Sequence, residues 1–187
     1  MIDFLFSEFS LSSFIFNIIC SFIASLFFIF SLLLFFKPKI DIVPLIAKHD
    51  SPFDNTNEIC YAFKIINQSF FGVYDIEAKA NYYTIQQGEN GITNKIFHKI
   101  DLKTHKINFI PRRRVFDKNY GDNCIQFFTY ENLSDEIKDN RKYIQFQITA
   151  KHSLTGLSNI FTYEFVNIGY VQEGHFASGN HKKVLKY

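Results

Sequence analysis

The order of apolar and polar residues divides the chain into two parts. From Leu11 to Phe36, 26 consecutive residues carry no charged side chain, and Lys37 and Lys39 follow immediately. About 20 predominantly apolar residues are enough for a helix to cross the hydrocarbon core of a bilayer. The pattern therefore predicts a transmembrane helix over residues 11–36, between a short N-terminal segment (1–10) and a basic linker (37–39).

The apolar run has the features of a retained anchor. A cleaved signal peptide has a basic start, an apolar run of about 7–15 residues and a cleavage site with small residues. Here the residues before the run include Asp3 and Glu8 but no Lys or Arg, and the run ends in Phe35-Phe36-Lys37. Because position 2 is not Gly and no C-terminal Cys motif is present, lipidation is not expected either.

The charges beside the helix predict its orientation. Lys37, Lys39 and Lys48 follow the run, and positively charged flanks stay in the cytoplasm. The N-terminus is therefore expected outside and the following domain in the cytoplasm. Cys60 and Cys124, which lack a disulfide-framework spacing, agree with a reducing compartment. An outward-facing domain would instead let them pair, and would make the sequons at Asn67-Gln68-Ser69 and Asn132-Leu133-Ser134 available.

Small and polar side chains lie on one face of the predicted helix. At about 100° per residue they fall in an arc of about 100° that also includes Cys20, with Ser25 just beside it. Such residues let helices approach closely and form hydrogen bonds in a membrane. Alternatively, each Ser bonds to its own helix carbonyl four residues back. The predicted association face consists of Ser13, Asn17, Ser21, Ala24, Ser25 and Ser31.

Beyond Pro38 the apolar residues alternate with polar ones, which is typical of strands with one buried face. Pro44 interrupts the first strand, and because a proline is tolerated at an edge or a bulge, this strand is expected to be peripheral. Asn90-Gly91 and the segment 153–158 have the composition of hairpin turns. Strands are predicted at 40–46, 59–66, 73–84, 95–99, 106–110, 124–130, 143–152 and 159–166.

Residues 131–140 break the alternation and predict one or two helical turns, with Ser134 as the N-cap. Many short strands without a long amphipathic helix predict a mainly β protein with an immunoglobulin-like antiparallel β-sandwich. The expected domain covers residues 40–173, followed by a basic flexible tail at 174–187.

The segments 61–67, 73–76, 155–163 and 173–176 resemble, in their order, the cytoplasmic immunoglobulin-like sandwich of inward-rectifier potassium channels. The resemblance covers residues 55–176 and implies the fold class and a cytoplasmic location. A channel function is not implied, since the chain has one predicted transmembrane helix and no Thr-x-Gly-Tyr-Gly filter.

Catalytic and metal-binding signatures are missing from the sequence, which contains no nucleophile elbow, phosphate loop or Cys-x-x-Cys motif. His98 and His105 could join Cys60 or Cys124 at a metal, but their spacing matches no common ligand set. We therefore expect a protein that is not an enzyme and needs no cofactor or metal.

The segment 95–118 concentrates positive charge. It has eight basic and two acidic residues, a net charge of +6 against +2 for the whole chain. Three hypotheses compete: a solvated edge strand protected by charge, contact with anionic lipid headgroups, and binding of a phosphate-bearing ligand or nucleic acid. The basic residues are Lys95, Lys99, Lys103, Lys106, Arg112, Arg113, Arg114 and Lys118.

Together these features predict a single-pass membrane protein with a cytoplasmic sandwich that acts as an interaction or sensor module and forms homo-oligomers. The expected partners are the bilayer, further copies of the chain, and an unidentified protein. The alternative is a membrane effector with a toxic or defence role, in which ligand binding clusters the helices and perturbs the bilayer.

Overall fold

The structure is a computed structural model that describes residues 11–53, 58–87, 93–114, 121–138 and 142–186. It comprises two compact units, residues 1–37 and residues 38–187. In the first unit, helix α1 (Leu11–Phe35) is continuous over 25 residues. Its segment Ser12–Phe35 is long and apolar enough to cross a membrane, and none of its most apolar stretch is buried. The predicted helix is therefore confirmed, and it ends one residue earlier than expected.

The second unit is mainly β, as the alternation predicts, and it also contains a short helix, α2 (Leu133–Lys138), and a 3-10 turn (Ile168–Tyr170). Each predicted strand is present, with ends that differ by a few residues. The strands are β1 (Ile40–Asp50), β2 (Ile59–Asn67), β3 (Val73–Gln87), β4 (Thr93–Ile100), β5 (Lys106–Ile110), β6 (Cys124–Thr129), β7 (Lys142–His152), β8 (Ser158–Phe165), β9 (Val171–Glu173), β10 (His175–Phe176) and β11 (Val184–Leu185).

Two main sheets form the domain. The first, sheet A, has the strand order β6-β2-β1-β9, and the second, sheet B, has the order β4-β3-β7-β8 with β5 also paired to β3. All of these pairs are antiparallel except β1 with β9. The hairpin between β7 and β8 is confirmed, and its Gly156 has a φ of 69°, which suits glycine. The turn at Asn90-Gly91 lies outside the described residues.

The main core lies between the two sheets. Phe63 of sheet A stacks on Phe146 of sheet B with ring centroids 4.5 Å apart, and Phe165 contacts the same ring of Phe63. The inward residues of the alternating strands, such as Ile65 and Ile148, are fully buried in this cluster. Because both sheets contribute to one core, the domain is a β-sandwich.

β1 occupies a different place from the one that Pro44 predicts. The proline lies at a bulge, seen as a register shift between Ile42 and Ile46. However, β1 lies between β2 and β9 in sheet A, so it is not peripheral. The parallel pairing with β9 starts at Ile46, beyond the proline, where every main-chain N–H is available to the ladder.

The helical prediction at 131–140 is confirmed by α2, but its cap differs. The Asn132 side chain accepts a hydrogen bond of 3.4 Å from the Asp135 N–H, so Asn132 is the N-cap instead of Ser134. Ser134 already lies inside the helix, and its hydroxyl accepts a bond of 2.9 Å from Tyr61. Leu133 and Ile137 bury one face of this turn.

The C-terminal segment is part of the folded domain, whereas the sequence predicts a basic flexible tail. Strands β10 and β11 pair with each other, and Phe176 of β10 is 4% exposed. Phe176 packs on the outer face of sheet A with Val43, Ala47, Ala62 and Ile66. A second small core thus covers the face of sheet A that points away from sheet B.

Two modifications considered for an outward-facing domain, a disulfide between the two cysteines and glycosylation at Asn67, conflict with the structure. Cys124 lies opposite Ile66, whereas Cys60 lies beyond Tyr61 at the other end of the same strand pair, about 20 Å away at 3.3 Å per residue. A disulfide between them is therefore excluded. Asn67 is fully buried, and its amide donates to the carbonyls of Phe71 and Pro111, so this sequon is not open to glycosylation in the folded domain.

Candidate interaction surfaces

The predicted association face of α1 lies on one continuous helix. Its members are exposed apart from Ser31, which is half-buried. Ser25 donates a hydrogen bond of 2.9 Å to the carbonyl of Ser21, four residues back, so the self-bonding alternative applies to Ser25. Asn17 differs, since its carboxamide forms no hydrogen bond within the described part of the chain. A side chain with two donors and an acceptor is thus exposed on the surface of an apolar helix.

The structure distributes the basic segment along one edge of sheet B. β4 pairs with the second half of β3, and β5 pairs with its first half, so the two strands follow each other along the same edge. Lys95 and Lys99 lie on β4, Lys106 begins β5, and Lys103 lies in the loop between them. This arrangement agrees with the hypothesis of an edge protected by charge. Lys118 lies outside the described residues.

The lysines of this segment have partners inside the domain. Lys95 forms an ion pair of 3.3 Å with Glu164 and lies 4.3 Å from the ring centre of Tyr83. Lys99 pairs with Asp101, and Lys106 pairs with Asp75 at 2.9 Å. Lys103 lies 4.1 Å from the centre of the Phe53 ring. These contacts partly neutralise the positive charge that the sequence suggests is available to a ligand.

Arg112, Arg113 and Arg114 are exposed and follow β5. The Arg113 main-chain N–H donates a bond of 3.1 Å to the Ser69 carbonyl, which fixes the start of this loop. Exposed guanidinium groups are suited to phosphate or carboxylate. Of the predicted basic residues that the structure describes, Arg112 and Arg113 are the best placed for an external anion, while Arg114 already has an interaction partner.

Asp75 joins two lysines across sheet B. It pairs with Lys106 of β5 and Lys151 of β7 at the register shift of β3. Hydrogen bonds from Lys151 and Lys106 lower the pKa of Asp75 to about 2. Its φ of 51° places it in the left-handed region, which Asp tolerates better than most residues. Asp75 therefore holds a bend of β3 by electrostatic contacts.

A buried lysine that the sequence does not reveal holds the C-terminal segment. Lys64 of β2 is 2% exposed, and its ammonium donates to the carbonyls of Ala177, Gly179 and His181 at 2.7, 2.7 and 2.9 Å. Three acceptors satisfy all three N–H donors of the ammonium. Desolvation nevertheless lowers the pKa of Lys64. In the sequence, Lys64 cannot be distinguished from an exposed lysine of an alternating strand, because its partners are main-chain carbonyls, which every residue has.

A groove of about 520 Å³ lies beside this contact, on the outer face of sheet A. Phe53, Phe128 and Phe176 contribute its apolar lining. The Cys124 thiol lies in it and donates to the Gly179 carbonyl at 3.1 Å. Burial raises the pKa of Cys124, so the thiol is protonated at neutral pH and serves as a structural donor.

The candidate metal ligands are not brought together. His98 stacks on Tyr82 with centroids 4.9 Å apart, and Cys60 lies 3.6 Å from the Nδ1 atom of His49. His105 lines a second cavity, of about 320 Å³, where β4 and β5 leave a gap beside Ala78. In the described ranges no group of three His, Cys, Asp or Glu side chains is placed to hold a metal ion.

Comparisons with known proteins identify no family. No family model matches the sequence, and no curated protein matches it. Solved structures with a distant likeness include the following three, none of which is a potassium channel. A Bordetella pertussis protein described as ApaA is 8% identical over 69% of this chain and 92% of that chain, with a TM-score of 0.35.

The sporulation control protein Spo0M of Bacillus subtilis is 11% identical over 74% of this chain and 50% of that chain, with a TM-score of 0.36. The structural genomics target SoR45 is 10% identical over 76% of this chain and 96% of that chain, with a TM-score of 0.32. At such TM-scores these likenesses support no argument about family or function.

Proposed function

We propose that this chain is a single-pass membrane protein that self-associates through α1 and carries a cytoplasmic, immunoglobulin-like interaction module without enzymatic activity. The observation behind the proposal is the carboxamide of Asn17, which forms no hydrogen bond to any described residue although it lies within an apolar helix. An amide without a hydrogen bond is costly in hydrocarbon, and a second helix can supply the missing partners. In the same arc, Ser13, Ser21 and Ala24 are small enough to let two helices approach.

The interaction role is supported by how the domain uses its polar side chains. Lys64 holds main-chain carbonyls, while Asp75 and Glu164 pair with lysines of the sheet. These groups stabilise the sandwich, which leaves recognition to exposed surfaces. Arg112, Arg113 and Arg114 form one such surface, suited to anionic lipid headgroups or a phosphate-bearing ligand near the cytoplasmic leaflet.

Cys20 provides a direct test, because this exposed thiol lies within the proposed face. The full chain is expressed in membranes, oxidised with copper phenanthroline, and separated without reductant. We expect a disulfide-linked dimer through Cys20. The matched control combines Cys20→Ser with Phe22→Cys, which moves the thiol about 200° around the helix. Because Cys60 and Cys124 are retained in both proteins, they contribute equally to any background.

A strong dimer band for Cys20 with little for position 22 supports the proposed association. Equal crosslinking at both positions, or none at Cys20, contradicts it. Membrane potential is measured in the same cells. If expression depolarises the cells and this effect requires helix α1, the result favours the membrane effector over the interaction module.

A further inference from the structure

The edge strand β8 is paired with β7 alone among the described strands, so the main-chain groups on its outer side belong to no ladder. The His152 N–H donates to the Leu157 carbonyl at 2.8 Å, in the same register as the pair Ile148–Phe161. Residues of an antiparallel strand alternate between facing their partner and facing away. The odd-numbered residues of β8 therefore bond to β7. The even-numbered residues, Ser158, Ile160, Thr162 and Glu164, direct their N–H and C=O groups to the open side.

Nothing in the described part of the chain pairs with this open side. β7 is the one described strand that is paired with β8. The Ile160 N–H is engaged locally by the Asn159 side chain at 3.0 Å. All four even-numbered residues are exposed, and the side chain of Ile160 is 59% exposed.

The other edges of the two sheets are protected in ways that β8 is not. β4 carries Lys95 and Lys99, and lysine is a common means of blocking edge-to-edge pairing. On β6, the Phe128 carbonyl accepts from the Lys103 N–H, and the Cys124 N–H donates to Gly121. β9 is only three residues long. β8 extends over eight residues and contains no lysine, arginine or proline.

We infer that β8 pairs with β8 of a second copy of this chain, antiparallel about a two-fold axis at Thr162. This register matches the seven residues from Asn159 to Phe165 with the same residues of the partner. Thr162 then faces the partner's Thr162, and Ile160 faces the partner's Glu164. On the inner side, Phe161 comes next to the partner's Tyr163, a favourable aromatic cross-strand pair.

A second copy suits this edge because the pairing is self-complementary. The one charged side chain of β8, Glu164, meets an apolar residue, so no like charges oppose each other. Two paired strands bury less than the ~1,200 Å² of a standard soluble interface. The inference therefore rests on the proposed function, since anchoring in one membrane raises the effective concentration of the two domains.

Disulfide trapping in the full-length, membrane-bound chain tests the axis. Residues that exchange hydrogen bonds across an antiparallel ladder have Cα atoms about 5.5 Å apart, within reach of a disulfide. In a Cys20→Ser background we expect Thr162→Cys to form a dimer several-fold faster than Lys99→Cys on the protected β4 edge. Equal rates at the two positions would overturn the inference.

The register has its own test. Ile160→Cys and Glu164→Cys, each in the Cys20→Ser background and with tags of different size, are expressed separately and together. We expect a mixed disulfide dimer on co-expression and little homodimer from either variant alone. Homodimers without mixed dimer would overturn the two-fold register. Cys20 crosslinking is scored separately. Crosslinking at Cys20 without crosslinking at β8 contradicts only the β8 pairing. Crosslinking at β8 without crosslinking at Cys20 contradicts only the association of the helices.

Discussion

The ammonium of Lys64 lies 2.7 Å from the main-chain carbonyl oxygen of Ala177, and the two residues are 113 positions apart in the sequence. The same ammonium binds the carbonyls of Gly179 and His181, so one side chain of β2 organises the loop between β10 and β11. These hydrogen bonds attach the C-terminal segment to sheet A, next to the buried side chain of Phe176. The domain therefore extends to the described end of the chain.

Replacing Lys64 with methionine is expected to lower the free energy of unfolding by about 2–3 kcal/mol, because buried carbonyl acceptors lose their donor. The measurement is urea unfolding of the purified chain in detergent, followed by tyrosine fluorescence. Lys79→Met is the matched control, since the Lys79 side chain is 59% exposed and pairs only with Glu77 among the described residues. We expect a change below about 0.5 kcal/mol for this control. If the Lys64→Met protein is as stable as the control, the Lys64 contacts do not stabilise the C-terminal segment.

Asp75→Asn is expected to change how stability depends on pH. The folded-state pKa of about 2 lies below the ordinary value of 3.8, so the ionised carboxylate stabilises the fold above pH 3.8. This contribution disappears as the pH falls from 3.8 towards 2. The wild-type chain should thus be more stable than the variant at about pH 6, and the difference should vanish near about pH 2.

The measurement compares urea midpoints of the two proteins across this pH range. Asparagine tolerates the left-handed backbone at position 75, so the substitution changes the charge and keeps the bend of β3. A stability difference that stays constant over the whole range would show that the carboxylate does not act through its charge.

The double substitution Asn17→Leu with Ser21→Leu is expected to reduce detergent-resistant oligomers in crosslinking. It removes the Asn17 carboxamide and adds bulk to the face where helices would approach. Ile15→Leu with Ile19→Leu, on the other side of the helix and at the same spacing, is the control for changed composition. An unchanged oligomer ladder in the Asn17 and Ser21 variant would argue against this face.

Liposome flotation of residues 38–187, which form a compact unit, tests the basic loop. Replacing Arg112, Arg113 and Arg114 with alanine should weaken binding to vesicles that contain phosphatidylserine, by about 1 kcal/mol for each arginine near the surface. Lys99→Ala is the control, because Lys99 already pairs with Asp101. Binding that ignores both the anionic lipid and the three arginines would exclude lipid contact and leave the edge-protection role.

The sequence by itself determined the elements of this protein. Helix α1 follows from an uninterrupted apolar run, and strands such as β7 follow from alternation of the residues from Ile144 to Ala150. Both signals are local, since they depend on which side chains follow one another along 3.6-residue or two-residue periods. Pro44 marks an interruption of β1 because its ring removes a main-chain donor, but the proline alone does not distinguish an edge from a bulge.

Only the tertiary structure decided which strands are edges, which charges are neutralised and how far the domain extends. β1 lies inside sheet A because β9 pairs with it from the far end of the chain. The lysines of the basic segment meet Asp75 and Glu164, which belong to other strands. Lys64 finds its partners among main-chain carbonyls, which are present at every residue and so leave no mark in the sequence. Such contacts join residues that only folding brings together, and a local pattern cannot encode them.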